Sequence, residues 1–547
     1  MAPRCWVGDR MDGAVPGTPE AEFSAAETAL LGRYFTNLDR PVFALRNLPE
    51  VVKGALFSRY SRTEKSLRRV LLDEFINEPE SGFEHLAGSN EAGDDMVAVR
   101  RAEEFYERVL VGYGDDSVAE LAGAHVAVER TSTLAAKAIE DSRIGISPLE
   151  KSTRYVRFDR PGPDGRHLYH RGPELERPEY ERTADALFDA YSSMVEPVTQ
   201  AIRERFPVEA GETERAWKSA TRAKALDLLR GLLPAGTLTN LGLFGNGRAF
   251  EYLITKLAAH DLPECRRLAV DLHRELAMVI PSFVKRALDE RYGRPAAERM
   301  ERVGRATARL AKRGPVAESA PSVRLLEYDR DAERRVVAAA LFAHSTLGLD
   351  EQVADPGSTL DALLEDRANR RQRAPRALEH ASYTFEIVAN FAAYRDLHRH
   401  RMLTQDRQLL GTGLGYDLPP GLDDLGAGLD QRFQAAVESA IPAHRLLERE
   451  LGPALAQYVV PLAFRLRWYF RTNLREVYHL CELRTTPQGH PDYRWIAQEM
   501  FRRVAEVHPR LARYARFVDL GPGDELERRQ SERRLDAKLS QLDRRVR

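Results

Sequence analysis

The chain has 547 residues, 43% of them hydrophobic and 30% charged, which is too long for one ordinary core and points to two or more folded units. With 82 Lys+Arg against 83 Asp+Glu the net charge is -1, so the chain lacks the basic excess that draws a protein to nucleic acid or to an anionic membrane. Cys5, Cys265 and Cys481 lie far apart without metal-ligand or disulfide spacing, which fits a reducing, cytoplasmic setting, and no apolar run reaches the length of a membrane span.

Residues 1–40 are polar and spotted with Pro and Gly, have no apolar signal core, and read as a disordered leader with a short helical patch near 21–35. From 49 to 75 the pattern is helical, with Lys65, Arg68 and Arg69 on what reads as a solvated basic face. Gly112 to Ser117 is a turn by its glycines and aspartates. A strand over 122–128 leads to Thr131 or Ser132, either of which can cap a helix over 133–141. In the following stretch, Arg143 to Tyr155, Pro148 prevents regular helix.

Residues 156–180 read as an inserted loop, in which His167 and His170 have no ligand company, and helices are expected to dominate 180–292. The stretch 293–322, with Gly314-Pro315 and Ala320-Pro321, reads as a linker. A second unit begins near Val323 and runs helix, Gly/Asp/Pro loop, helix, strand, helix, then Arg399-His400-Arg401 and a loop with Gly411, Gly413 and Gly415. Long helices are expected over 429–471 and 472–484, and 523–547 reads as a charged, solvated tail.

The two halves repeat. Glu120 to Arg143 and Glu379 to Arg401 share the order acid, alternating strand, capped helix, arginine, over intervals of 23 and 22 residues. Pro234, Asn246 and Arg248 answer to Pro461, Asn473 and Arg475, with the same intervals of 12 and 2 residues in both copies. Both Asn-x-Arg segments are expected on long helices. There Asn473 and Arg484 would share a face, and Arg475 and His479 would form an i, i+4 pair. A polar row on an apolar helix must meet solvent, a partner or a ligand, because unpaired buried charge is costly.

Arg399-His400-Arg401, Glu150-x-Ser152-x-Arg154-Tyr155, Arg230 ahead of Leu233-Pro234 and Asn473-x-Arg475 together resemble the signature of the flavin-dependent thymidylate synthases. The resemblance covers most of 100–290 and 323–520 and implies an α+β fold, a small antiparallel sheet with long helices, present as two tandem domains at 41–295 and 323–522 with a linker at 296–322. It also implies FAD as cofactor, dUMP as substrate, and NAD(P)H and methylenetetrahydrofolate as co-substrates for methylation at C5. A homodimer of this double-length chain would imitate that family's tetramer. Neither a metal, nor nucleic acid, nor a membrane is part of the expectation.

By the resemblance, Glu150, Ser152, Arg154, Arg230, Arg399 and Arg484 hold the substrate, with Ser152 and Arg484 closest to the chemistry. Glu379, Arg399, His400, Arg401, Asn473, Arg475 and His479 hold the flavin. The copies depart from the pattern in complementary ways. The first has Asp141-Ser142-Arg143 for the triplet and Leu257 for the helix-terminal arginine; the second has Leu409, Gly411 and Gln457 where the first has Ser152, Arg154 and Arg230. One composite site per chain is therefore expected. Two other outcomes are a related flavoenzyme for another pyrimidine nucleotide and a non-catalytic nucleotide- or partner-binding descendant.

Overall fold

The structure, a computed structural model, describes residues 23–61, 63–77, 119–312, 314, 316–352, 355–426 and 428–546. The first copy is built on three antiparallel strands, β1 (Gly123–Ser132), β2 (Ile146–Glu150) and β3 (Leu238–Asn246), in the order β1-β3-β2. Its main helices are α1 (Ala25–Leu31), α2 (Thr133–Glu140), α3 (Pro178–Arg205), α4 (Glu214–Leu229), α5 (Gly247–Ala258) and α6 (Gly293–Leu310). The second copy has β4 (Ser322–Tyr328), β5 (Ser382–Asn390), β6 (Leu403–Arg407) and β7 (Arg465–Asn473) in the order β4-β5-β7-β6, so β4 is added to the shared three-strand pattern. Its helices include α7 (Phe391–Leu397), α8 (Leu429–Leu451), α9 (Leu474–Arg484), α10 (Pro491–Val507) and α11 (Arg529–Val546).

Local chemistry explains the repeated strand–helix joints. β3 and β7 alternate buried and less buried residues in one identical pattern, the period of a sheet with one face in the core. Each ends on an asparagine that caps the next helix: Asn246 accepts from the Ala249 amide at 2.8 Å and Asn473 from that of Glu476 at 3.0 Å. Ser132 and Asn390 do the same between β1 and α2 and between β5 and α7. Each such cap is worth about 1 kcal/mol, and together they fix where extended chain turns into helix.

The copies pack around a pseudo-two-fold axis through the repeated prolines. Pro234 and Pro461 form an antiparallel bridge. Ala235 N donates to Val460 O at 2.8 Å, and its counterpart Leu462 N donates to Leu233 O at 2.9 Å. Gly236 N donates to Tyr458 O at 2.8 Å, and its counterpart Ala463 N to Gly231 O at 3.0 Å. Helices α3 and α8 lie against each other, and one continuous apolar core runs through both copies. This is the self-complementary geometry of a two-fold dimer, realised within one polypeptide.

Several expectations are corrected. The Asn-x-Arg segments do not sit within long helices: α8 stops at Leu451 and the chain returns as β7, and β3 likewise interrupts the helical run of 180–292. The expected linker is largely helix α6, and the expected tail is helix α11, docked on α4 through Asp536, which binds Arg215 and accepts from Thr213 Oγ1 at 2.8 Å. Of the leader, residues 23–40 carry α1 and bury Leu31, Tyr34 and Phe35. Arg68 is no solvated cation, for it is buried over the Phe43 ring at 3.8 Å and donates to Arg40 O at 2.7 Å. Residues 1–22 and the Gly112–Ser117 turn lie outside the described residues.

Candidate active site

Helix α7 ends at Leu397, so Arg399, His400 and Arg401 fall in the turn leading into β6, against the N-terminal half of the chain. Next to them β2 ends at Glu150, and the chain turns through Ser152 to Arg154. The Ser152 hydroxyl accepts the Arg154 amide at 3.2 Å, which tightens this turn. A small pocket of about 40 Å³ lies where the halves meet, lined by Glu150, Ser152, Arg154, Arg230, Asp396 and Arg399 among others. Arg399 also lines a second, much larger cavity of about 600 Å³. The substrate residues expected in the first copy and the triplet of the second thus converge, and Arg399 stands at the junction.

The small pocket is held by buried ion pairs that the sequence did not reveal. Arg154 is not free: Asp227 takes its fork with contacts of 2.7 to 3.0 Å, and its NH1 donates to the Tyr493 hydroxyl at 3.2 Å. Glu150 is equally engaged, with one oxygen 2.8 Å from Lys137 Nζ and the other 2.9 Å from Arg395 NH2. Burial raises the Glu150 carboxyl, but Arg395 and Lys137 outweigh it and hold it below its ordinary value. The roles expected of Glu150 and Arg154 as substrate ligands therefore fall on side chains already saturated by protein.

Arg230 differs. Only its NH1 is bonded, to Asp396 Oδ2 at 2.9 Å, while Nε and NH2 are buried without a partner. Arg399 Nε is likewise buried and unpartnered. Buried donors without acceptors are costly, and a guanidinium edge with both N–H groups open fits an incoming oxyanion. Asp396 is far below its ordinary carboxylate range: burial opposes this, but Arg230, Arg399 and Arg154 together prevail. It orients Arg230 and leaves that edge free.

All seven expected flavin residues, Glu379, Arg399, His400, Arg401, Asn473, Arg475 and His479, line the large cavity, as does Arg484. Arg484 closes helix α9 and donates Nε to His400 Nε2 at 3.0 Å, with its guanidinium 5.6 Å from the Tyr493 ring centre. Because Nε2 accepts, Nδ1 of His400 carries the proton and donates to Glu476 Oε1 at 2.7 Å. Burial, with Arg484, His479 and Arg399 around it, keeps His400 neutral well below its ordinary value. Burial also pushes Glu476 up to about 7, against the pull of His479, Arg484 and Arg475. Arg475 pairs with Glu379 at 2.6 Å, and Arg401 reaches Ser147 of the first copy at 2.5 Å.

Among the described residues His400, Glu476 and His479 have the spacing of metal ligands. Both nitrogens of His400 are used, however, and Arg399, Arg475 and Arg484 surround the group, so it is poorly suited to a cation. The residues missed from sequence are Arg367, Arg370 and Arg373 on the wall of the large cavity, and Asp227, Asp396 and Tyr493 around the small one. The arginine-dense stretch from 367 to 376 was a legible signal; the carboxylate partners were not, since Asp227 lies 73 residues from Arg154 and Asp396 lies 166 from Arg230.

The family described as thymidylate synthase complementing protein matches this chain twice, over residues 68–282 and 324–510. A UPF0159 protein of Chlamydia pneumoniae is 43% identical over 516 residues, 91% of this chain and 96% of that one. A flavin-dependent thymidylate synthase of Geobacter sulfurreducens is 31% identical over 209 residues, 37% of this chain and 87% of that one. Among solved structures, the UMP/dUMP methylase PolB of Streptomyces cacaoi aligns with a TM-score of 0.30 and 23% identity, over 36% of this chain and 95% of that one.

Proposed function

Since the chain belongs to the thymidylate synthase complementing protein family, with two copies of its fold in one polypeptide, we propose that it is a flavin-dependent methyltransferase that converts dUMP to dTMP at one composite site per chain. The observation that carries this reading is the meeting of two cavities at Arg399, the smaller lined by Ser152, Arg154 and Arg230 of the first copy with Asp396 and Arg399 of the second, the larger lined by the second copy. The donor set fits an FAD, for the large cavity is lined by arginines, among them Arg370, Arg373, Arg399 and Arg475, that can meet its diphosphate and the charge of its reduced ring. When bound, FAD would supply the redox step and mediate methylene transfer from methylenetetrahydrofolate, with NAD(P)H as reductant.

The residues do the rest. The open edge of Arg230 and the hydroxyl of Ser152 take the nucleotide phosphate. Arg399 lies between phosphate and flavin and adds positive charge to both. Arg484, fixed through its Nε by neutral His400 and set beside the Tyr493 ring, directs its guanidinium to the pyrimidine, where it stabilises charge developing on the ring. Arg154 positions Tyr493 and so the wall against which Arg484 rests. In this reading the protein is cytoplasmic and pairs as a homodimer; among the described residues no helix is long and apolar enough to cross a membrane.

The test is reconstitution. Protein loaded with FAD should change its visible spectrum on addition of dUMP, and with NADPH and methylenetetrahydrofolate it should release dTMP, read by mass. Flavin binding without response to dUMP would reject this substrate. That result would favour a second reading, a flavoenzyme for another pyrimidine nucleotide, which draws support from the saturation of Glu150 and Arg154 by protein partners. A thermal-shift series of uridine and cytidine nucleotides separates the two.

A further inference from the structure

The arginines of the large cavity are not equally available. Arg367 is locked to Glu482 by two contacts of 2.8 Å, Arg475 is paired with Glu379, and Arg401 is bonded to Ser147. Arg484 is bonded to His400, and Arg399 lies 3.7 Å from Asp396. Arg370 and Arg373 are exposed on the same wall, and among the described residues neither has a carboxylate partner. Two guanidinium groups that face a cavity without counter-charge leave a local excess of two positive charges.

The loop that carries them is built, not loose. The buried Arg367 anchors its start, donating Nε to Gln372 O at 2.9 Å while its fork holds Glu482 on α9. The Asn369 side chain accepts the Arg371 amide at 3.0 Å, and Ala374 O accepts from Arg475 Nε at 2.9 Å. That last bond places Arg373 beside the first turn of α9. Arg484 lies nine residues further along the same helix, about 13 Å along its axis. The loop therefore runs along the cavity wall beside α9, from Glu482 near its C-terminal end to Arg475 in its first turn, opposite the triplet, whose His400 bonds both Glu476 and Arg484.

We propose that Arg370 and Arg373 form a phosphoanhydride subsite, the clamp for the diphosphate of the dinucleotide cofactor. This rests on the flavin reading above. A diphosphate diester carries two negative charges, matching the two open guanidinium groups, and bidentate N–H pairs suit its oxygens. The N-terminal turn of α9 adds favourable dipole at the same place.

The test is an FAD titration of the full-length apoprotein, followed by flavin fluorescence, over a series at the two positions. The double substitution R370A/R373A should weaken FAD at least tenfold and flatten the salt dependence of its Kd, with the melting temperature of the apoprotein unchanged because both side chains are exposed. R370K/R373K should recover most of the affinity, and R370E/R373E should bind more weakly than the alanine pair. Unchanged FAD affinity and salt slope in the alanine variant, beside a wild type that binds FAD, would overturn the subsite alone. A wild type that binds no FAD at any concentration tried would overturn the flavin reading and the subsite with it.

Discussion

Glu140 and His398 hold equivalent positions in the two copies and face each other across the pseudo-two-fold axis, with Glu140 Oε2 3.0 Å from His398 Nε2 and both side chains fully buried. Against the cost of burial, Lys137, whose Nζ also contacts Glu140 Oε2, holds the Glu140 carboxyl well below its ordinary range. In an identical pair this contact would be Glu against Glu or His against His, and two like groups buried at that distance would force one to neutralise. Lys137 and Arg395, also equivalent, both turn to Glu150 of the first copy. The copies have thus diverged at the axis into side chains that complement each other in one arrangement.

The composite site makes stoichiometry the first discriminating number. One FAD per chain is expected, by absorbance of the denatured cofactor against protein mass. A value near two would mean that the Asp141-Ser142-Arg143 side also binds flavin and that the two copies have not lost complementary halves of one site.

Arg154 is a structural cation before it is anything else. Removing one partner of a buried ion pair typically costs about 3–5 kcal/mol, so R154A should lower the urea midpoint strongly. The double variant R154M/D227L, which removes the pair and keeps apolar volume, should be more stable than R154A alone. If R154A unfolds like wild type yet fails to bind nucleotide, Arg154 is a substrate ligand after all.

Arg484 is expected to act at the pyrimidine. R484A should reduce turnover by about 10²–10³-fold, the usual cost of losing one donor to developing charge, with little change in FAD affinity. A loss confined to KM would place Arg484 in ground-state binding instead.

Asp492 gives a pH test. Its carboxyl is buried beside Asn390 and pushed up to about 6, because burial outweighs the pull of Arg230 and the Asn390 amide. A raised carboxyl favours the native state fully below the unfolded value near 4 and loses that contribution as pH rises through 6. D492N should therefore be more stable than wild type at pH 7.5, by about 1–3 kcal/mol given partial solvent access. The gap should narrow steadily towards pH 4. Equal stability at both ends of the range would show that the side chain titrates as in water.

The tandem repeat was legible because proline, asparagine and arginine at fixed spacing mark joints whose geometry tolerates few other residues. The triplet and the α9 residues were legible for the same reason, and all of them line one cavity. β7 was readable but passed over: Leu466, Trp468, Phe470 and Thr472 alternate with Arg465, Arg467, Tyr469 and Arg471, a sheet period between two strongly helical neighbours. Helix α6 was hidden by the Gly and Pro at its boundaries. The engagement of Glu150 and Arg154 was not readable at all, because their partners come from distant segments that only the folded chain assembles.

The exchanged backbone bonds at Pro234 and Pro461 bear on how the polypeptide is inherited as well as how it folds. Each half presents the same donors and acceptors there, so severed halves would recognise their own kind as readily as each other at the backbone level. A pair of second halves would bring two triplets against Leu409, Gly411 and Gln457, and a pair of first halves would join two sets of Ser152, Arg154 and Arg230 with no Arg399-His400-Arg401. Covalent connection enforces mixed pairing at every folding event. With the halves specialised, a break between them would halve the yield of composite sites even if both pieces folded, so the join itself serves the site.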